Sequence, residues 1–416
     1  MEHIDTLIVG AGISGLAAAA ALGDDYLILE GDTEIGGYCK TVRRAGFVWD
    51  YSGHFFHFKH ADIEQHLRER MRDQRVLRVN KRSYIQYRGE LIDFPFQKNI
   101  HQLPKAELIE CLHDLYFAGR DAAAPSNFKD MLYARFGRGI SEKFLIPYNE
   151  KLYACDLSQL DIDAMGRFFP HASVAEIIRN MREPDNSSYN QTFTYPEGGA
   201  IEYVHALARD VDAQRIALGE SLLSLDLQAH VARTSQRELR YKHLVSSEPF
   251  MRFAARTGLD YDAQAFSWNK VLVFNLGFDK KGPEGVHWIY FPDRTLSFYR
   301  VGFYDNIFGS ERMSLYVELG LAADARVDHD VLQKRVLADL RRASIITDHQ
   351  LVADHSVVMD PAYVHITERS NAEVARLKAR LAQHDVYSIG RYGSWTYCSI
   401  EDNIVEARAL AKELRT

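Results

Sequence analysis

Three glycines in the pattern Gly10-x-Gly12-x-x-Gly15 lie between an apolar run, residues 5–9, and an Ala-rich stretch that continues to Leu22. The run reads as a buried strand and the stretch as a helix. In that setting the first glycine permits a tight turn, the second lets a pyrophosphate approach the backbone, and the third lets helix and strand pack closely. The helix start then faces the phosphates with unpaired N–H groups and the positive end of its dipole. Residues 26–30 read as a second buried strand, and Glu30 closes it. There a carboxylate accepts hydrogen bonds from the hydroxyls of a ribose. The same carboxylate disfavours a 2′-phosphate and so argues against NADP. These residues therefore point to an adenine dinucleotide, NAD or FAD.

That chemistry needs a framework to hold it. The chain has 416 residues, enough for two or three domains. Its hydrophobic content of 46% and charged content of 26% are ordinary for a folded globular protein. A net charge of −7 gives no basic surplus of the kind nucleic-acid binding requires. Cys39, Cys111, Cys155 and Cys398 form no CxxC pair, so neither a zinc knuckle nor a disulfide framework is expected. The run His54-x-x-His57-x-x-His60 lacks a helix with an acidic partner and is not read as a metal site. The N-terminus passes from charged residues straight into a strand, so no signal peptide is expected. The longest apolar run, 13–22, is too short to span a bilayer. A cytoplasmic protein without a membrane segment is the expectation.

Residues 104–155 carry amphipathic stretches that predict helices, as do residues 326–343 and 402–414. Residues 265–320 are aromatic and β-branched with turns between, which predicts an antiparallel sheet. Residues 183–192 are polar and turn-rich. Amphipathic helices serve dimer interfaces as well as cores, so a homo-oligomer stays open.

Beyond Glu30, the pair Gly36-Gly37 resembles the extended FAD fingerprint of the glutathione-reductase-like and amine-oxidase-like flavoproteins. That resemblance selects FAD over NAD. Further along, Tyr51-Ser52-Gly53-His54-Phe55-Phe56 resembles the glycine–histidine segment of the UDP-galactopyranose mutase family. Phe94-Pro95-Phe96-Gln97 and Pro147-Tyr148-Asn149-Glu150-Lys151-Leu152-Tyr153 resemble its two uridine-contacting segments. Trp288-Ile289-Tyr290 followed by Tyr299-Arg300 resembles the strand pair that meets the diphosphate. Gly390-Arg391-Tyr392-Gly393 through Tyr397 resembles the C-terminal flavin-contacting motif. The segments occur in family order.

The resemblance implies an α/β protein. A Rossmann-type FAD-binding domain would comprise residues 1–90, 195–264 and 350–416, with a mainly helical insertion domain at 91–194 and an antiparallel β-sheet layer at 265–349. It implies an isomerase that interconverts the pyranose and furanose forms of a nucleotide sugar: reduced flavin N5 attacks the anomeric carbon and the nucleoside diphosphate departs, with no net redox change. The furanose would serve polysaccharide or related biosynthesis. His54, Tyr290, Arg300 and Tyr397 are the catalytic candidates, with Arg300 opposite the departing charge. Gly10, Gly12, Gly15, Glu30, Gly36, Gly37, Gly390, Arg391, Asp402 and Asn403 are the cofactor candidates. Phe96, Gln97, Asn149, Tyr153 and Trp288 are the candidates for the base. The substrate would be UDP- or dTDP-linked, and the electrons would come from NADH, NADPH or a separate reductase. Residues 181–192 are the expected flap over the site. Thr194 stands where the eukaryotic-type branch of the family carries an arginine, which leaves the sugar open. A flavin oxidase or dehydrogenase of the amine-oxidase or protoporphyrinogen-oxidase kind shares the FAD domain and is the alternative. A flavin-binding scaffold without catalysis is a third reading.

Overall fold

The computed structural model describes residues 1–23, 25–118, 124–186 and 191–415. The two apolar runs form the strands Glu2–Val9 and Tyr26–Glu30, joined by the helix Ile13–Leu22. They pair in parallel, Thr6 to Val9 against Tyr26 to Leu29. The parallel ladder continues to Ile216–Leu218 on one side and to Glu238–Ser246 on the other. The far end of Glu238–Ser246 pairs in parallel with Val386–Ser388. Because these strands are parallel, their C-terminal ends open on one side, where open α/β sheets bind ligands. Gly10, Glu30, Ser247 and Gly390 all follow or end such strands. The helix Ile13–Leu22 packs against the closing helix Ile400–Leu414 and against Ile201–Ala208.

A second sheet runs in the order Leu351–Met359, Asn269–Phe278, Ser314–Ala322, Arg300–Phe303, Trp288–Tyr290, Ser83–Tyr87 and Glu90–Asp93. Every pairing is antiparallel except that of Trp288–Tyr290 with Ser83–Tyr87. The sheet thus draws strands from beyond 265–349. Trp288–Tyr290 would otherwise leave an open edge, and Ser83–Tyr87 covers it. One face of the sheet packs Leu272, Ile289, Val301 and Val317 in a core with Val336 and Leu340 of the helix His329–Arg342. The other face turns toward the first sheet. The helices Lys105–Phe117, Phe128–Ile140 and Ile146–Tyr153 form the helical part, with Ile146–Tyr153 lying against Ser314–Ala322.

Candidate active site

Alternation along a strand puts every second side chain on one face. The register of three neighbouring strands aligns two rows there, Trp288–Gly302–Tyr316 and Tyr290–Arg300–Glu318. A side chain at Gly302 would collide with the Tyr316 ring, which lies across that position. This face meets the strand ends of the first sheet around a cavity of about 450 Å³. Gly10, Gly12, Ser14, Glu30, Gly36 and Gly37 line it from one side, and Trp288, Tyr290, Arg300 and Tyr316 from the other. His54, Arg391, Tyr397 and Asn403 complete the wall.

The glycine side is shaped for a dinucleotide. Glu30 is held at the edge of the groove: its Oε2 accepts from Ala11 N at 2.7 Å and its Oε1 from Asp32 N at 2.9 Å. A methyl on Gly12 would meet only the Cα of Gly37, at 3.9 Å, and one on Gly37 only the Cα of Gly12, at 3.6 Å. The space there is the groove itself. No side chain caps the helix Ile13–Leu22, which leaves its first N–H groups to an anion. Asn403 Oδ1 accepts from Arg391 N at 2.7 Å and from Ser14 Oγ at 3.1 Å, tying the Gly390–Gly393 turn to the glycine-loop helix. These residues fit the ADP half of FAD.

The two arginines of the wall differ. Arg391 sits over the rings of Tyr397 at 4.5 Å and Tyr363 at 5.2 Å, and no carboxylate among the described residues pairs with it. Arg300 instead donates to Glu318, Nε to Oε2 at 2.5 Å and Nη2 to Oε1 at 2.8 Å. Tyr290 accepts a hydrogen bond from Trp288 Nε1 at 2.6 Å. At the mouth, Phe168 meets Tyr397 edge-on at 5.1 Å, and Arg167 pairs with Asp402 at 2.5 Å.

A family model described as an NAD(P)-binding Rossmann-like domain matches residues 8–70. Over 52 residues the chain is 44% identical to the inactive all-trans-retinol 13,14-reductase of Danio rerio, which is 12% of this chain and 9% of that protein. Over 176 residues it is 24% identical to the chloroplastic protoporphyrinogen oxidase 1 of Spinacia oleracea, 39% of this chain and 31% of that one. The chain thus spans under a third of the length of these curated relatives. Solved structures match over nearly the whole chain. Reduced UDP-galactopyranose mutase gives a TM-score of 0.91 at 22% identity, over 99% of this chain and 95% of that one. A putative protoporphyrinogen oxidase from Exiguobacterium sp. 255-15 gives 0.79 at 18%, over 99% and 98%. Cyclohexylamine oxidase from Brevibacterium oxydans IH-35A gives 0.70 at 15%, over 99% and 100%. The chain shares its fold with these three structures, and its first strand–turn–helix unit matches the Rossmann-like model.

Within this fold most of the expected residues meet at one cavity. Gly15 and Gly390 stand just behind its wall, where a side chain on Gly390 (φ +84°) would collide with Ser14. Asp402, expected at the cofactor, does not reach the cavity. Its Oδ2 accepts from Ser399 N at 2.7 Å and Ser399 Oγ at 2.8 Å, so it completes the capping box of which Ser399 is the N-cap, at the start of the helix Ile400–Leu414, while pairing with Arg167. Phe96, Gln97, Asn149 and Tyr153 do not line the cavity either. Phe96 stacks on Phe144 at 5.2 Å, Gln97 Nε2 donates to Pro170 O, and Asn149 Nδ2 donates to Leu145 O at 2.6 Å. Tyr153 packs edge-on against Tyr363 at 5.7 Å. Burial of these rings in the helical part outweighs their exposure at the cavity. Of the residues expected at the base, only Trp288 faces the cavity.

Thr194 also points away, its hydroxyl 3.0 Å from that of Tyr203. Residues 187–190 of the expected flap lie outside the described residues. Next to them Asn99 Nδ2 donates to Asn186 Oδ1 at 2.8 Å and Lys98 Nζ to Asp185 O at 3.3 Å. Among the described residues no helix is long and apolar enough to cross a membrane, and no cluster of His, Cys, Asp or Glu is placed to hold a metal. Sequence reasoning passed over Ser52, Tyr316, Tyr363 and Glu318. Glu318 had a signal: it is the only charge in the otherwise apolar strand Ser314–Ala322.

Three histidines crowd this region as neutral rings. Burial lowers His54, His57 and His287 to about 4, helped at His54 by the Arg391 guanidinium, at His57 by Lys81, and at His287 by Arg82 and Lys81. A depressed base contributes stability that is present above its ordinary value of about 6.5 and is lost as pH falls toward the folded value. The expected result is a set of imidazole NMR titrations with midpoints near 4. Midpoints near 6.5 would show these rings open to solvent.

Proposed function

We propose that the chain is an FAD-dependent nucleotide-sugar mutase that interconverts pyranose and furanose rings, acting on a UDP- or dTDP-linked sugar. The observation that carries this reading is the placement of Arg300 and Tyr290 side by side on the sheet face opposite the cofactor groove. A cation and a phenol there converge on the place where a departing diphosphate would build up charge. Reduced flavin, once bound, supplies a nucleophilic N5, with electrons from NADH, NADPH or a separate reductase.

The chain's own residues do the rest. A guanidinium carries five N–H donors. Arg300 commits two to Glu318, and the others hold phosphate oxygens. Tyr290 takes its hydrogen bond from Trp288 and so keeps its own proton to donate to the same oxygens. Tyr397 offers a second phenol from the opposite wall. Trp288 lies flat against Phe55, with ring centroids 5.5 Å apart, and its indole N–H holds the Tyr290 phenol in place. Arg391 and His54 would flank the flavin ring, and Phe168 and Arg167 line the same cavity.

Two observations favour a second reading, an oxidase or dehydrogenase of the amine-oxidase kind. Glu318 already balances the charge of Arg300, and Tyr38, Tyr316, Tyr363 and Tyr392 make the cavity strongly aromatic. One experiment separates the two. The protein is reduced anaerobically with dithionite and incubated with a panel of UDP and dTDP sugars, and products of equal mass are resolved by chromatography. The mutase reading expects an isomer that forms only with reduced protein. No isomer from any sugar, together with anaerobic bleaching of the oxidised flavin by an amine or porphyrinogen, would replace it with the oxidase reading.

A further inference from the structure

Glu318 is fully buried, at 0% exposure, and stands directly opposite Arg300 in the neighbouring strand. It does not line the cavity, whereas its partners Arg300 and Ser52 do. Its two oxygens take three hydrogen bonds: Arg300 Nε at 2.5 Å, Arg300 Nη2 at 2.8 Å, and the hydroxyl of Ser52. Ser52 opens the turn that carries His54, whose N–H donates to Ser52 O at 2.8 Å. One carboxylate therefore fixes both the guanidinium and the turn bearing the histidine.

We propose that Glu318 is a positioning residue that sets how tightly the cavity holds an anionic diphosphate. The inference rests on the mutase reading and deepens it. Glu318 occupies one edge of the guanidinium fork and aims the rest at the cavity. It also offsets the charge of Arg300, so a diphosphate entering the cavity gains less attraction than a bare guanidinium would give. Tight ground-state binding of a diphosphate lowers KM without raising kcat and slows its release. The carboxylate keeps the grip firm enough for departure and loose enough for release.

Glu318→Gln keeps the shape and an acceptor but removes the charge. UDP is titrated into flavin-loaded wild type and variant, followed by flavin absorbance, and kcat and KM are measured on both. The expected result is UDP binding tighter by about tenfold, with kcat and KM falling together. A purely structural role would weaken UDP binding and raise KM, and either unchanged or weaker UDP binding overturns the inference. Flavin content reports whether the variant is folded. Should it lose flavin, Glu318→Asp keeps the acid and withdraws it by one methylene; it should tighten UDP binding by a smaller factor, and no tightening overturns the inference just as firmly. Where the wild type binds dTDP and not UDP, the same titrations are made with dTDP; a wild type that binds neither overturns the mutase reading and this inference with it. A wild type that binds UDP beside variants that bind it no better overturns the inference alone.

Discussion

Arg300→Ala is expected to lower nucleotide-sugar turnover by about 10²- to 10³-fold, as removal of one preorganised donor to a developing charge does, while flavin absorbance stays as in wild type. The separation follows from where each part is built. Arg300 belongs to the second sheet, whereas the groove for the ADP half belongs to the strand ends of the first. The truncation has a second effect. It leaves Glu318 buried without its cation, and breaking a buried pair costs about 3–5 kcal/mol. Loss of activity in Arg300→Ala could then reflect a loosened sheet. Arg300→Lys removes that ambiguity. A lysine keeps a positive charge against Glu318 but presents a point charge and lacks the planar fork that serves carboxylate and phosphate together. It should melt close to wild type and still lose most of the turnover. Steady-state kinetics beside thermal melts of both variants make the check, and unimpaired turnover in Arg300→Lys would remove the guanidinium from the site's chemistry.

The parts of this fold that were legible in the sequence are those with a local steric reason. Gly10, Gly12, Gly15 and Glu30 each answer a demand made within one strand–turn–helix unit, and the helix Ile13–Leu22 and strand Tyr26–Glu30 fall where the apolar runs put them. The second sheet was legible as strands but not as a sheet. Its pairing of Ser83–Tyr87 with Trp288–Tyr290 joins segments far apart in the chain, and only packing decides that. The same holds within the site. Asp402 and Asn403 are neighbours, and both looked suited to the cofactor. Once the helix begins after Ser399, Asp402 falls three residues on, where it closes the capping box with Ser399, and Asn403 falls on the side of Ser14 and Arg391. Phe96 and Tyr153 have the right chemistry for a base, but ring chemistry does not distinguish a cavity wall from a core, and here they are core. Glu318 could be noticed as a lone charge in an apolar strand, yet its partner follows only from the register that sets it opposite Arg300.

The second large effect is expected at Gly12, and Gly15 shows why it is a binding effect. Gly15 sits inside the helix, where an added Cβ would collide with the carbonyl oxygen of Gly10. That obstacle is backbone and cannot swing aside. Gly15→Ala should therefore lose about 1–3 kcal/mol of stability through overpacking, along with its flavin. Gly12 differs in both respects. Its φ of −83° suits any residue, and an added Cβ meets no protein atom nearer than 3.9 Å. It also occupies the N-cap position of the helix, where serine is strongly preferred. Gly12→Ser should thus give an apoprotein at least as resistant to heat as the wild type, with flavin affinity lowered by about tenfold or more, because the new side chain fills the space a pyrophosphate needs. The measurement is flavin per chain after purification and after titration with FAD, set beside thermal melts of the stripped protein. Flavin retained at the wild-type level in Gly12→Ser would mean that the phosphates do not lie between Gly12 and Gly37. Flavin lost together with stability would mean that the substitution acts on the helix. Only loss of flavin with stability kept places the pyrophosphate in this groove, and with it the ring beside His54 and Arg391 on which the rest of the site depends.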